Sequence, residues 1–163
     1  MPLAIVLTDA QIAAHVSDAK ELPANFLSRA HPKPKRGHKE SELAVTGESG
    51  AEYRLIFRLS NINPLDFSAI LAVQLPNSTR LFRLRRYNGR SHEHTNRIER
   101  ETFYGFHIHT ATERYQDLGL DEDAYARPTD RFSDYSAAVH AWSRIVDARS
   151  PLATRSCSEE QRR

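Results

Sequence analysis

Four of the eight histidines of this chain lie between Tyr87 and Gln116, in two His-x-His pairs. The pairs are His92/His94 and His107/His109. A histidine can exchange a proton near neutral pH, bind a metal ion, or hold a phosphate when it is charged. The cluster is therefore the most informative feature for function, and the residue type alone leaves these three kinds of chemistry open.

Strand periodicity separates the two pairs. Segment 102–112 alternates as a β-strand does, with Tyr104, Phe106 and Ile108 on one face and His107 and His109 on the other. The apolar face is expected to meet the helices, which leaves His107 and His109 on the open face of the sheet. His92 and His94 belong to a polar connection between residues 88 and 101, a long loop of the kind that often carries function. This loop is expected to fold over the same face.

Basic residues surround the first pair. Residues 80–100 contain seven arginines, and residues 31–39 form a second basic stretch. Such local positive potential attracts phosphates even in a chain whose net charge is only +2. Arg83 and Arg85 are predicted to lie on the open face, one strand away from the histidines. The alternative is that the arginines form ion pairs with the acidic loop 117–123.

The first functional hypothesis is RNA cleavage without a metal or another cofactor. His107 and His109 would act as the general acid and base, and His92 and His94 would position the phosphate or supply a second acid/base pair. Arginines would stabilise the charge that develops on the phosphate oxygens. A tyrosine or threonine hydroxyl would orient the phosphate, and a glutamate would orient a histidine. The side chains predicted to bind or orient the substrate are Arg83, Arg85, Tyr87, Thr112 and Glu113.

Two alternatives use the same residues differently. His-x-His with a further histidine or carboxylate suits zinc or another first-row metal ion, and Glu93 and Glu113 are the nearby carboxylates. The protein could also be a non-catalytic binding or inhibitory module, in which the histidines are hydrogen-bonded structural groups.

Composition limits the class of protein. The chain has 163 residues, 39% hydrophobic and 27% charged, as expected for a globular domain. No apolar run approaches the roughly 18 residues of a membrane span, and the N-terminus lacks the features of a signal peptide. The single cysteine, Cys157, rules out an intramolecular disulfide and a cysteine-based zinc site. These features predict a cytoplasmic protein with no membrane partner.

The pattern of elements predicts an α+β fold. Thr8 and Gln11 form a capping box that begins the first helix, and a second, apolar-striped helix begins near Ser133 or Asp134. The predicted architecture is an antiparallel meander of four to five strands with the N- and C-terminal helices packed on one face. Residues 1–147 are assigned to one domain. Within this domain the sequence also predicts a helical turn at 24–29, an exposed connector at 31–41, an edge strand at 42–47, and strands at 53–59, 67–75, 79–87 and 102–112. A disordered tail is predicted at 148–163.

The histidine segments resemble a known sequence pattern. Tyr87-Asn88-Gly89-x-Ser91-His92-x-His94-Thr95-Asn96, followed by Phe106-His107-Ile108-His109-x-Ala111-Thr112-Glu113-Arg114-Tyr115-Gln116, is similar to a small bacterial family of uncharacterised function. More distantly, the chain resembles the TumE-type toxins of toxin–antitoxin pairs. That second resemblance implies a nucleic-acid-directed activity, with RNA as a possible substrate and a cognate antitoxin or other protein as partner in a toxin–antitoxin or phage-defence setting.

Overall fold

A computed structural model describes residues 6–146 and shows an α+β fold built on a large antiparallel sheet. The helices are α1 (Asp9–Ser17), α2 (Phe26–Arg29), α3 (Glu113–Asp117) and α4 (Tyr135–Val146). The strands are β1 (Lys33–Pro34), β2 (His38–Thr46), β3 (Glu52–Ser60), β4 (Phe67–Gln74), β5 (Leu81–Asn88), β6 (His94–Asn96), β7 (Glu101–Phe103), β8 (His107–Thr110) and β9 (Ala126–Pro128).

The main sheet follows the chain order, with one hairpin set aside from it. Its seven strands are ordered β1-β2-β3-β4-β5-β8-β9, and every neighbouring pair is antiparallel. Strands β6 and β7 form a separate two-stranded sheet between β5 and β8 in the chain. The predicted meander is therefore confirmed. The predicted number of four to five strands is too low, because β1, β9 and the hairpin strands are too short to show alternation.

Helices α1, α2 and α4 pack on one face of this sheet and enclose the main hydrophobic core, whereas the buried Tyr115 of α3 contacts Ile98 and Glu99 between β6 and β7. Trp142 of α4 is fully buried and meets Phe57 of β3 edge to face, with ring centroids 5.0 Å apart. At the other end of the core, Tyr87 stacks on Phe132 at 5.5 Å. The capping box of Thr8 and Gln11 begins α1 as predicted, because both reciprocal hydrogen bonds form.

The second face of the sheet is polar around a small apolar centre. Cross-strand pairing places Ile56, Ile70, Arg86 and His109 in one row and Arg58, Ser68, Asn88 and His107 in the next. Ile56 and Ile70 are buried, yet they lie outside the main core. No described helix is long and apolar enough to cross a membrane.

Two local predictions were wrong. The segment 31–41 is not simply an exposed connector, since Lys33–Pro34 forms β1 and His38 begins β2. The segment 102–112 is not one strand, because β7 ends at Phe103 and β8 begins at His107. Tyr104 lies in the break and is 62% exposed rather than part of the apolar face. The tail predicted at 148–163 lies outside the described residues.

Candidate metal centre

His107 and His109 lie on the sheet face that periodicity predicts. In the antiparallel pairing of β8 with β5, His107 is opposite Asn88 and His109 is opposite Arg86. Between them, Ile108 is opposite Tyr87, a member of the main core. The two histidines therefore point away from the helices, as alternation of side chains along a strand requires.

The histidine pair is buried, contrary to the prediction that an open face would leave it accessible. His107 is 1% exposed and His109 is 4% exposed. The β6–β7 hairpin folds over them and brings the His94 ring to 5.4 Å from the His107 ring and 4.9 Å from the His109 ring. Phe103 of β7 contacts His107 from the side, at 5.6 Å between centroids. The loop does cover the histidines, but it covers them completely enough to exclude most solvent.

Three histidines form one compact group of nitrogen ligands. One ring nitrogen from each of His94, His107 and His109 can be chosen so that all three lie within 4.8 Å of one another. Nitrogen ligands about 2.0–2.1 Å from a tetrahedral zinc ion are roughly 3.4 Å apart. A small inward movement of the rings would therefore be enough to place a metal ion between them.

Hydrogen bonds to backbone carbonyls orient the two strand histidines. Nδ1 of His107 lies 2.8 Å from the carbonyl oxygen of Gly105, and Nδ1 of His109 lies 2.7 Å from that of Asp123. A carbonyl oxygen only accepts, so each Nδ1 carries the proton and donates it. Nη2 of Arg86 lies farther from Nδ1 of His109, at 3.4 Å, and cannot donate to a protonated nitrogen. Each Nε2 consequently keeps a free lone pair. Nε2 of His107 is buried and has no hydrogen-bond partner.

Asn96 orients the third histidine. Its Nδ2 donates to the carbonyl of Ala126 at 2.7 Å, and its Oδ1 accepts from the amide of Ala126 at 2.9 Å. These two contacts fix the amide orientation, so Oδ1 accepts the hydrogen bond at 2.9 Å from Nε2 of His94. Nδ1 of His94 therefore carries the free lone pair. Outer hydrogen bonds of this kind commonly fix the tautomer of metal-binding histidines.

Burial keeps the strand histidines neutral. Desolvation, helped by the neighbouring His94 and Arg86 and opposed by the hydrogen bond to Gly105, lowers the pKa of His107 to about 4. Desolvation also lowers the pKa of His109 to about 2, and the positive charge of Arg86 acts in the same direction. Neutral imidazole is the form that binds metals. Neither group changes its protonation near neutral pH, which the predicted acid/base roles would require.

A bulge rearranges the predicted arginines. The register between β4 and β5 shifts so that Leu71 faces Arg85 while Ala72 faces Arg83, with Leu84 as the additional residue. Arg83 and Arg86 consequently lie on the histidine face, and Arg85 lies on the opposite face in line with Leu71. The prediction that Arg83 and Arg85 share the histidine face was thus wrong for Arg85, because alternation assumes an unbroken strand.

The acidic loop before β9 pairs with these arginines, as the alternative prediction held. Arg83 contacts Asp123 at 3.2 Å and Glu122 at 3.6 Å. Nε of Arg86 lies 3.2 Å from Oδ2 of Asp123, close enough for attraction between the charges although not aligned as a hydrogen bond. Burial raises the pKa of Asp123, against the opposing effect of Arg86 and Arg83. The loop therefore supplies both the carbonyl that orients His109 and the carboxylate beside Arg86.

The other predicted site residues do not join the cluster. His92 is exposed, with Nδ1 2.9 Å from Oγ of Ser91. Tyr87 is 2% exposed and belongs to the core on the helix side. Thr112 caps α3, and Oε2 of Glu113 accepts from the amide of Asp9 at 3.3 Å. Glu93 is exposed and is not part of the ligand group.

Asn96 and Asp123 were not identified as site residues from the sequence. Asn96 had a usable signal, since it stands two residues after His94 and shares a face with it once the segment is recognised as a strand. No signal in the sequence identifies Asp123, because its contact with His109 joins residues 14 positions apart through an irregular loop.

Comparison with known proteins finds no matching family, no similar curated protein and no similar solved structure.

Proposed function

We propose that the protein binds one first-row transition-metal ion through Nδ1 of His94 and Nε2 of His107 and His109. The observation that carries this proposal is the buried Nε2 of His107, which has no hydrogen-bond partner within a group of three close imidazoles. A buried polar atom without a partner costs about 1–3 kcal/mol. A metal ion would give this lone pair, and those of the two neighbouring histidines, a common partner.

The donor set favours particular ions. Three neutral imidazoles suit zinc, copper, nickel or iron, whereas magnesium and calcium prefer oxygen ligands. The proposed ligands contain no carboxylate, so they would leave the full charge of the ion uncompensated. Three protein ligands also leave a position for water or a substrate, as catalytic zinc sites do. An ion bound there would lower the pKa of a bound water and polarise a substrate oxygen.

RNA cleavage stays a prediction, and the metal proposal changes how it would operate. With His107 and His109 both neutral over the physiological range, a metal-free acid/base pair on β8 has little support. Cleavage that depends on a metal is compatible with the same cluster. A role in a toxin–antitoxin or phage-defence system rests on the sequence resemblance alone.

Metal titration tests the proposal. Protein stripped with a chelator and titrated with zinc is expected to bind one ion per chain by calorimetry, and cobalt is expected to give visible absorption bands typical of low coordination number. His107→Ala should abolish both signals. His140→Ala is the matched control, since His140 lies on α4 and donates to the carbonyl of Ser136 at 2.7 Å. Absence of stoichiometric binding, or equal binding by both variants, would refute the metal centre.

A further inference from the structure

Four arginines form a block on the sheet face that carries the candidate metal centre. Register places Arg54 and Arg58 of β3 on the same face as Arg83 and Arg86 of β5. Strands two apart are roughly 9.5 Å from each other, and residues four apart along a strand are roughly 13 Å apart. The guanidinium groups are thus distributed over a surface next to the centre rather than concentrated at one point.

The loop before β9 borders this part of the face at Arg83 and Arg86, while Arg54 and Arg58 lie away from that loop on β3. The packing contacts of α1 and α4 with the sheet are made on the opposite face, and the β6–β7 hairpin lies over β8. At the β2 end the face opens into a cavity of about 450 Å³. Polar side chains of its lining include His38, Glu40, Arg58, Asp66 and Ser68.

Two buried isoleucines lie among the arginines on this face. Ile56 is 7% exposed and Ile70 is 2% exposed on this face. Long arginine side chains commonly bury their aliphatic stems on apolar surface while the charged heads stay in water. The neighbouring Arg58 can cover the two isoleucines in this way, with its guanidinium group at the rim, whereas Nε of Arg86 is buried beside Asp123. Arg58 keeps 53% of its side chain exposed.

Occupancy of the proposed metal centre would change the charge on this face. Carboxylates at the two edges pair with the block: Glu42 with Arg54 at 3.2 Å, Glu40 with Arg58 at 2.7 Å, and Asp123 with Arg83 and Arg86. An arginine has five N–H donors, more than one such carboxylate contact uses. The acids nearly balance the arginines, so a divalent ion on three neutral histidines would make the face positive as a whole.

An exposed aromatic residue lies in the break before β8, the strand that carries two of the proposed ligands. Tyr104 is 62% exposed and stands three residues before His107, and the guanidinium of Arg90 lies 6.0 Å from its ring centroid. Exposed aromatic rings stack on bases of any sequence, and a positively charged groove follows the phosphates of a single strand. A duplex would present its bases only at the groove edges and would leave this ring without a stacking partner.

We propose that the arginine block and Tyr104 bind single-stranded nucleic acid across the sheet, with the proposed metal ion at the β8 end of the path. The inference rests on the proposed metal centre, because the bound ion would supply the net positive charge of the face. It also names single-stranded nucleic acid as the substrate class of that centre. It requires phosphate contacts at the block and a base stacked on Tyr104. An acidic protein would satisfy the charges but not the stacking.

Binding of labelled oligonucleotides tests this inference. Zinc-loaded protein is expected to raise the fluorescence polarisation of an unstructured 12-nucleotide RNA, with an affinity that falls linearly with salt on logarithmic axes. The double variant Arg54→Gln/Arg58→Gln should bind at least about tenfold more weakly and lose about 1.4 from the salt slope, since each single-strand phosphate contributes about 0.7. Arg29→Gln/Arg144→Gln removes the same charge from exposed positions of α2 and α4 and should behave as wild type.

Separate readouts distinguish this inference from the metal proposal. Zinc titration of the Arg54→Gln/Arg58→Gln variant should still give one ion per chain, and thermal unfolding should show a folded protein. Tyr104→Ala should weaken RNA binding about tenfold, within the range for one stacked base, and leave zinc binding unchanged. Equal losses in the two double variants, tighter binding of a duplex, or equal binding of polyglutamate would overturn the inference while the metal centre stands. Absence of RNA binding by zinc-loaded protein would overturn it as well.

Discussion

The two His-x-His pairs have the same spacing and different structural environments. His107 and His109 both lie on β8, both are buried, and each is oriented by a backbone carbonyl. Of the other pair, only His94 enters the cluster, because β6 begins at His94 and His92 stays exposed before it. The comparison shows that the backbone on which a motif lies decides which of its members can act as a ligand.

The largest expected effect separates the members of the two pairs directly. His109→Ala should lower zinc affinity by more than the roughly 100-fold that loss of an outer hydrogen bond causes, since it removes a proposed ligand. His92→Ala should leave affinity within about twofold, because it changes an exposed side chain. Competition against a chromophoric chelator measures both. A loss in His92→Ala as large as in His109→Ala would show that the pairs act alike.

A second prediction concerns Asn96, which orients His94 as backbone carbonyls orient His107 and His109. Asn96→Ala removes the acceptor of the His94 Nε2 proton and should weaken zinc binding roughly 10- to 100-fold. The same change leaves the backbone groups of Ala126 without partners, so the free energy of unfolding should fall by about 1–3 kcal/mol. Chelator competition and urea denaturation measure the two effects.

Thr95→Ala is the control for this prediction. Thr95 is an exposed neighbour on the same strand, and its hydroxyl is 2.9 Å from that of Thr102. Zinc affinity should be unchanged in this variant. If Asn96→Ala bound zinc as tightly as Thr95→Ala, the orienting role of Asn96 would be refuted.

A third prediction uses the low pKa values of the β8 pair. Both histidines have a folded-state pKa below the unfolded value of about 6.5, so the unfolded chain binds more protons as pH falls. The metal-free protein should therefore lose stability from about pH 6.5 downward, by at most about 1.4 kcal/mol per pH unit for each histidine. For His107 this loss should end near pH 4, where the folded state also takes up a proton.

Urea denaturation of metal-free protein between pH 7 and pH 4.5 measures this slope. His107→Gln should reduce it, because glutamine does not titrate. His92→Gln is the matched control, and it should leave the slope as in the wild type. A wild-type stability that rises on acidification through this range would contradict the proposed burial of neutral histidines.

The smallest expected effect tests the attachment of the hairpin that carries His94. The hydroxyl of Tyr115 donates to Glu99 at 2.6 Å and accepts from the amide of Ile98 at 3.3 Å. Tyr115→Phe removes both contacts and should lower the free energy of unfolding by about 1 kcal/mol. Zinc affinity should fall less than in Asn96→Ala. Thermal unfolding measures the first effect, with Tyr125→Phe as a control at a neighbouring hydroxyl, and an equal loss in both variants would argue against this anchor.

Local patterns predicted the main elements well. The capping box of Thr8 and Gln11, the apolar stripe of α4 and the alternation in β3 and β4 depend on neighbours within a few residues, and all three were predicted. The placement of His107 and His109 on the face opposite Ile108 follows from the same local rule.

The strand register and the placement of the hairpin could not be predicted from the sequence. The bulge that puts Arg85 on the other face depends on how β5 pairs with β4, and register cannot be read from one strand. The burial of the histidines depends on the hairpin being held to Ala126 and Tyr115, which lie 30 and 17 residues from Asn96 and Ile98. Charge and spacing did not distinguish an accessible acid/base pair from a buried set of ligands.

The placement of the hairpin has a consequence for how the chain would respond to metal. All three proposed ligands come from residues 94–109, and the β6–β7 hairpin is a separate sheet laid over β8. An ion held there would cross-link residues that are close in the sequence, so closing the short segment between them would cost little conformational entropy. Withdrawal of the ion would leave contacts such as those of Asn96 and Glu99 to hold the hairpin, so the hairpin would open more often than the paired strands β2 to β5. Protease susceptibility of residues 89–105 would then report metal supply to the protein.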